Sequence, residues 1–242
     1  MALKLDPFAQ RKLLDLAAAD RAIGAANHRR ANLPQLATIR TATEQAVAAR
    51  RAVVSAEAEV SDLKRATNKL DGEVDQVRGR AKRDADRLAS GSASPKELEN
   101  LQHEIESLKR RQSVLEDEEL ELMEQRENSE GMLATARQEL SAIEVAIAEA
   151  EAERDTLFGE IDAVLSVEQA KRDTVTAALP ADVLALYTRI KDSGLVAAGE
   201  LLGARCGACR IEIDRIALAE IKAAPIDAIV RCSECGAILV RA

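Results

Sequence analysis

The sequence predicts a mainly α protein, a long antiparallel coiled-coil helical hairpin followed by a small C-terminal four-cysteine domain. Three observations predict it. Apolar residues recur at alternating three- and four-residue steps over two long segments, the five prolines fall only where helices start or break, and all four cysteines lie in two C-x-x-C pairs near the C-terminus.

Composition agrees with helices rather than a broad compact core. Charged residues make up 31% of the 242, and the aromatic residues are Tyr187, Phe8 and Phe158 alone. The net charge of -8 hides an asymmetry. Lys plus Arg against Asp plus Glu count 17 to 12 over residues 1–90, 11 to 25 over 91–202 and 6 to 5 over 203–242. The two halves of the coil are thus oppositely biased, which suits their pairing. No apolar run reaches membrane-spanning length, and "MALKLDPFAQRK" has no apolar signal core, so a cytoplasmic, reducing location with no membrane partner is expected.

Taking the elements in order, Asp6 and Pro7 open an amphipathic helix, "PFAQRKLLDLAAADRAIGAANHRR", expected to lie against the far end of the second long helix. Pro34 interrupts the pattern. The first seam then runs Ile39, Ala42, Ala46, Ala49, Val53, Ala56, Val60, Leu63, Thr67, Leu70, Val74, Val77, Ala81, Asp84 and Leu88, thirteen of fifteen apolar. The segment "LASGSASP" is a turn, with Ser94 and Glu97 spaced as a capping box before the second long helix. Its seam steps from Leu98 to Val164, with fifteen of twenty positions apolar and Gln112, Glu119, Arg126, Ser129 and Arg154 the exceptions.

Folding at the turn brings Leu88 to Leu98 and Ile39 to Ile147 in one register, and it places Lys69 near Glu116 and Lys64 near Glu121. A parallel dimer of straight rods is the competing arrangement and would set like charges together. The hairpin pairs Thr67 with Glu119, Val60 with Arg126 and Ala56 with Ser129, a weak middle. That stretch is either a bend or docking site, or a seam covered by the snorkelling Arg126 stem.

These signals divide the chain into a hairpin at 1–179, with a break near 32–35 and a turn near 90–95, and a region at 180–242. The latter holds a connecting helix at 180–193, with an apolar stripe of Val183, Leu186, Tyr187 and Ile190, and the cysteine domain at 195–242.

Cys206, Cys209, Cys232 and Cys235 give C-x2-C-x22-C-x2-C, the spacing at which two knuckles present four thiolates to one tetrahedral metal. Redox pairs come as single C-x-x-C motifs in a thioredoxin-like setting, and rubredoxin-like iron sites pack an aromatic core that 203–242 lacks. One structural Zn2+ is the expected cofactor. Four thiolates fill its shell, and nowhere do a nucleophile, a base and an orienting group fall together, so no catalytic residue and no enzyme activity are expected. Gly207 and Gly236 are read as the tight-turn glycines of the knuckles. Arg205, Arg210 and Arg231 flank the cysteines; they either offset the charge of the thiolates and offer a ligand surface, or are ordinary solvated arginines. Short strands are expected around 196–205, 228–232 and 237–241, a helix near 214–223, and a core drawn from Ile211, Ile213, Ile216, Leu218, Ile221, Ile226, Ile229, Val230, Ile238, Leu239 and Val240. A segment this small needs the metal to fold.

A long hairpin, then "LPADVLALYTRIKDSG", then two knuckles ending in "CSECGAIL" resembles the bacterial four-cysteine zinc-ribbon (RING-like) proteins with an N-terminal coiled-coil hairpin, formerly catalogued as a domain of unknown function. The resemblance covers nearly the whole chain, with specific motifs in 180–242, and its most similar members are actinobacterial. It implies zinc ligation by the four cysteines and a non-enzymatic adaptor or scaffold in which a coiled-coil rod presents a structural zinc ribbon to a protein partner. The alternative it implies is a nucleic-acid-binding or transcription-associated ribbon, since members are linked to flagellar or secretion systems, to an alternative sigma factor or to nucleic acid. Where the family's last knuckle reads C-G-R-I-L, this chain has Ala237, so a basic contact is missing. The near-neutral ribbon also lacks a basic footprint and an aromatic stacking platform, although Arg205, Arg210, Arg215, Lys222, Arg231 and Arg241 offer charge if they gather on one face. A monomer or weak homodimer is expected.

Overall fold

The computed structural model describes residues 3–92 and 94–241; Ala93 of the predicted turn lies outside them. Five helices and four short strands follow one another as α1 (Pro7–Ala31), α2 (Pro34–Ala89), α3 (Pro95–Ala177), α4 (Ala181–Asp192), β1 (Ala198–Leu202), β2 (Arg205–Cys206), α5 (Arg215–Ala223), β3 (Val230–Arg231) and β4 (Ile238–Val240). They form two compact units, Ala37–Glu151 on one hand and Met1–Leu36 with Ala152–Ala242 on the other.

The unit of 37–151 is the hairpin of α2 and α3. All fifteen seam positions of α2 are buried or half-buried, and so are the seam positions of α3 up to Ala150, with Val74 and Leu115 the most deeply enclosed. At the turn Glu97 accepts from both the N–H and the hydroxyl of Ser94 at 2.8 Å, which caps α3. Three cross-helix ion pairs on one flank share one register. Arg50 meets Glu144 at 2.8 Å, Glu57 meets Arg137 at 2.6 Å and Arg78 meets Glu116 at 3.0 Å. The steps from 50 to 57 to 78 are whole heptads, and those from 144 to 137 to 116 match them in the opposite direction. Such a ladder requires antiparallel helices.

The ladder also corrects one expected charge pair. Glu116 takes Arg78 rather than Lys69, which reaches Glu73 one turn along its own helix at 3.9 Å. An intrahelical partner four residues away costs less side-chain entropy to engage than one across the seam. Through the polar middle both helices run without interruption. Thr67 and Ser129 are buried, the Thr67 hydroxyl donating to the Leu63 carbonyl at 2.9 Å. Arg126 lies along the seam with Nε 3.4 Å from Glu130.

The other unit begins with α1, capped by Asp6, whose carboxylate accepts from the Phe8 N–H at 2.9 Å. Its C-terminal half packs through Ala26, with Leu33 of the connection that follows, on Ile161 of α3, and Arg30 is stacked 4.4 Å over the Phe158 ring and ion-paired to Asp162. Here the α3 seam departs from the expected line. Val164 is exposed and Leu165 takes the inward position, because beyond Ile161 this helix packs against α1.

The strands form one sheet in the order β2-β1-β4-β3, with β1 and β4 parallel and the outer pairs antiparallel. Alternation along β4 divides the core in two. Ile238 and Val240 face Leu13, Leu16, Val183, Tyr187 and Ile190 of α1 and α4, while Leu239 faces Cys206, Cys232, Ile213 and Ile221. The chain start is tied to the same sheet: Leu5 N–H donates to the Asp227 carbonyl at 2.7 Å and Ile229 N–H to the Leu3 carbonyl at 2.9 Å.

Candidate metal centre

The first knuckle leaves β2 and the second leaves β3, and the two are built alike. In the first, Cys206 N–H donates to the Ile211 carbonyl at 3.0 Å and Arg210 N–H returns to the Cys206 carbonyl at 2.8 Å. In the second, Cys232 N–H donates to the Ala237 carbonyl at 2.9 Å and Gly236 N–H returns to the Cys232 carbonyl at 3.0 Å. The residue after the second cysteine of each knuckle is left-handed, Gly236 at φ 72° and Arg210 at φ 65°.

This corrects the role of Gly207. The left-handed position of the first knuckle belongs to Arg210, a residue that carries a Cβ and tolerates αL only at a cost of roughly 1–2 kcal/mol. Gly207 is required for a different reason: it passes under β1, where its N–H donates to the Glu200 carbonyl at 2.8 Å and a Cβ would sit 2.6 Å from that oxygen. Gly199, which the sequence did not single out, is needed for the same crossing, since a Cβ there would lie 2.4 Å from the Ala208 nitrogen.

The four sulfurs converge. Cys206 Sγ is 3.9 Å from Cys235 Sγ and Cys209 Sγ is 4.0 Å from Cys232 Sγ, all four lying within 4.8 Å of one another. Tetrahedral Zn–S bonds of about 2.3 Å set sulfurs about 3.8 Å apart, so the cluster has the dimensions of one zinc shell, far from the S–S bond length of a disulfide. Backbone N–H groups are aimed at sulfur as thiolate ligands require. Those of Ala208 and Cys209 donate to Cys206, that of Ile211 to Cys209 and that of Ala237 to Cys235.

Without a cation the same cluster resists ionisation. Burial pushes the Cys206 thiol up and that of Cys235 up to about 12, whereas the Ile211 N–H holds Cys209 below its ordinary value. Four thiolates at these distances need a divalent cation among them, and the residues present fit Zn2+.

The flanking arginines do not act as a set. Arg231 Nε donates to the Gly236 carbonyl at 2.8 Å and braces the second knuckle, while Arg205 and Arg210 are exposed. Arg241 is turned inward, its two terminal nitrogens donating to the carbonyls of Ile221, Ala224, Pro225 and Ala228 at 2.7–2.9 Å and so capping the end of α5. Ala237 is fully enclosed. Three residues expected in the core, Ile211, Ile216 and Ile226, are exposed, since Ile213, Ile221, Leu239 and the cysteines already fill the small interior.

Residues 205–239 match the C4-type zinc ribbon domain, and residues 16–194 match the CT398-like coiled coil hairpin domain. The chain belongs to the CT398-like family. An actinobacterial relative is close: Uncharacterized protein Rv2229c of Mycobacterium tuberculosis is 40% identical over 232 residues, 96% of this chain and 95% of that one. A solved structure from Mycobacterium smegmatis superposes with a TM-score of 0.85 at 34% identity, covering 99% of this CT398-like chain and all of the other. CT398 of Chlamydia trachomatis shares the fold at a TM-score of 0.65 and 17% identity, with 97% and 98% of the two chains covered. The family is thus a coiled-coil hairpin joined to a zinc ribbon, and no enzymatic family is indicated. Among the described residues no helix is long and apolar enough to cross a membrane.

Proposed function

We propose that the protein is a non-enzymatic adaptor that uses its coiled coil and its zinc ribbon as protein-binding surfaces. The observation that carries this reading is the closed donor set: four cysteine sulfurs, each directed inward, complete a tetrahedral shell and leave the metal a structural task. What the metal holds in place is an outer surface with exposed Leu202, Ile211, Ile216 and Ile226, apolar groups a small domain otherwise encloses and that suit a protein partner.

The nucleic-acid alternative is less well supported. Of the six basic residues that would form a phosphate footprint, Arg231 and Arg241 are engaged with backbone carbonyls, and Glu212, Asp214 and Glu234 lie among the others.

The test uses the full chain, because α1 and residues 3–5 complete the ribbon's sheet and core. Immobilised protein in nuclease-treated extract of its source cells is expected to retain a protein near stoichiometric amounts, and DNA or RNA titrations across a salt series are expected to stay flat. A steep salt-dependent nucleic-acid affinity without protein capture would replace this reading with the alternative.

A further inference from the structure

The two flanks of the α2–α3 hairpin differ. One is zipped by the Arg50–Glu144, Glu57–Arg137 and Arg78–Glu116 ladder. On the other, three adjoining depressions of about 600, 430 and 660 Å³ lie between residues 59–77 of α2 and 111–132 of α3. Gln125 is shared by the first two and Lys69 with Glu73 by the last two, so they form one groove. Along α2 it spans about 27 Å at 1.5 Å per residue.

The sequence explains the opening. On this flank Ala66 has a short side chain opposite Glu118, so little side-chain bulk fills the surface between the helices above the packed cluster of Leu70, Val74 and Leu115, and the α3 seam carries polar Gln112, Glu119 and Arg126 at one position of three successive heptads. The floor is apolar, with Leu63, Leu70, Leu115, Leu122 and Met132, the last 59% exposed. The rim is acidic. Glu59, Asp62, Glu73, Glu118 and Glu121 line it against Lys69 and Arg111, and over 115–130 α3 carries eight carboxylates against one cation, Arg126, which lies along the seam.

We propose that this flank is the docking groove for a basic amphipathic helix of a partner protein. The inference rests on the adaptor reading and names the chemistry of its partner. An aliphatic ridge at three- and four-residue spacing fills the apolar floor, and Lys or Arg on either side of that ridge meets the rim carboxylates. The helix needs about five turns to span the groove. Nucleic acid is excluded from this face by charge, and Met132 supplies the adaptable contact that such grooves use.

The test is a titration of the full chain with a labelled peptide of about 18 residues, Leu at heptad ridge positions and Lys elsewhere, beside a scrambled peptide of the same composition. The ridge peptide is expected to bind at least about tenfold more tightly than the scrambled one. Glu118→Gln with Glu121→Gln should weaken it about tenfold, whereas Glu99→Gln with Glu106→Gln, the same charge change outside the groove, should change it less than about twofold. The exposed Met132→Ser should weaken binding with unchanged helix content. No binding, equal binding of both peptides, or equal loss in both double variants overturns the groove. Self-association of the chain that Met132→Ser abolishes would assign the groove to a second copy and overturn the choice of partner. Should the groove variants fail while the full chain still retains its protein partner, the groove falls and the adaptor reading stands.

Discussion

The phenol of Tyr187 donates to the Asp20 carboxylate at 2.9 Å, and the same carboxylate receives Lys191 at 2.6 Å and Arg172 at 2.9 Å. One half-buried acid of α1 therefore ties together α3 and α4 beside the sheet. Burial raises the cost of its charge, but the hydrogen bonds from Lys191, Tyr187 and Arg172 outweigh it and hold the Asp20 carboxyl below the usual range. Burial, followed by the Asp20 bond, pushes the Tyr187 phenol up.

Asp20→Asn removes the shared acceptor charge and is expected to cost about 2 kcal/mol, below the value for fully buried pairs because Lys191 and Arg172 remain partly solvated. Tyr187→Phe should cost about 1 kcal/mol. Since the folded pKa of Asp20 lies below its unfolded value of about 3.9, its contribution is present above that pH and fades as pH falls through the folded value. Denaturant melts of wild type and Asp20→Asn should therefore differ by a constant amount from about pH 5 to 8 and converge in stronger acid.

The antiparallel ladder predicts charge-swap rescue. Arg50→Glu alone should lower the melting temperature of the hairpin, and Arg50→Glu with Glu144→Arg should restore it, with a coupling of about 0.5 kcal/mol that shrinks in 1 M salt. Rescue on mixing the Arg50→Glu and Glu144→Arg single variants as separate chains would instead point to pairing between molecules.

Backbone geometry in the knuckles predicts opposite signs at two residues. Arg210→Gly relieves a left-handed residue and should slow zinc loss to a chelator, with a gain of about 1 kcal/mol. Gly199→Ala forces a methyl group onto the Ala208 backbone and should destabilise the ribbon by roughly 1–3 kcal/mol, read as faster zinc release and a lower melting temperature.

Much of this fold was legible because its signals are periodic or local. The seam from Ile39 to Leu88 is enclosed at each step, the Ser94–Glu97 cap forms, and the spacing of the four cysteines corresponds to a convergent cluster. What stayed hidden depends on packing between residues far apart in the chain. Nothing near Leu3 and Leu5 announces that they bond to Ile229 and Asp227, and nothing near Gly199 announces that Gly207 and Ala208 pass within contact of it. Val164 and Leu165 are equally apolar, and only the approach of α1 decides which turns inward. Gly207 is ambiguous in sequence for a related reason: a glycine signals a special backbone without saying whether the need is a positive φ, which falls to Arg210, or room for a crossing strand.

Arg241 makes a further case. A guanidinium so close to the chain's end reads as surface charge, yet it satisfies the carbonyls that end α5. Arg241→Lys keeps the charge and loses the fork, so it should cost nearly as much as Arg241→Met, about 2 kcal/mol in the thermal stability of the zinc-loaded protein.

A closed metal site is tested most directly by metal analysis and zinc-edge X-ray absorption of the freshly purified, reduced full chain. The expected result is about one zinc per chain surrounded by four sulfurs at about 2.3 Å. A nitrogen or oxygen in the shell, or iron in place of zinc, would contradict it and reopen the site to exchangeable ligands.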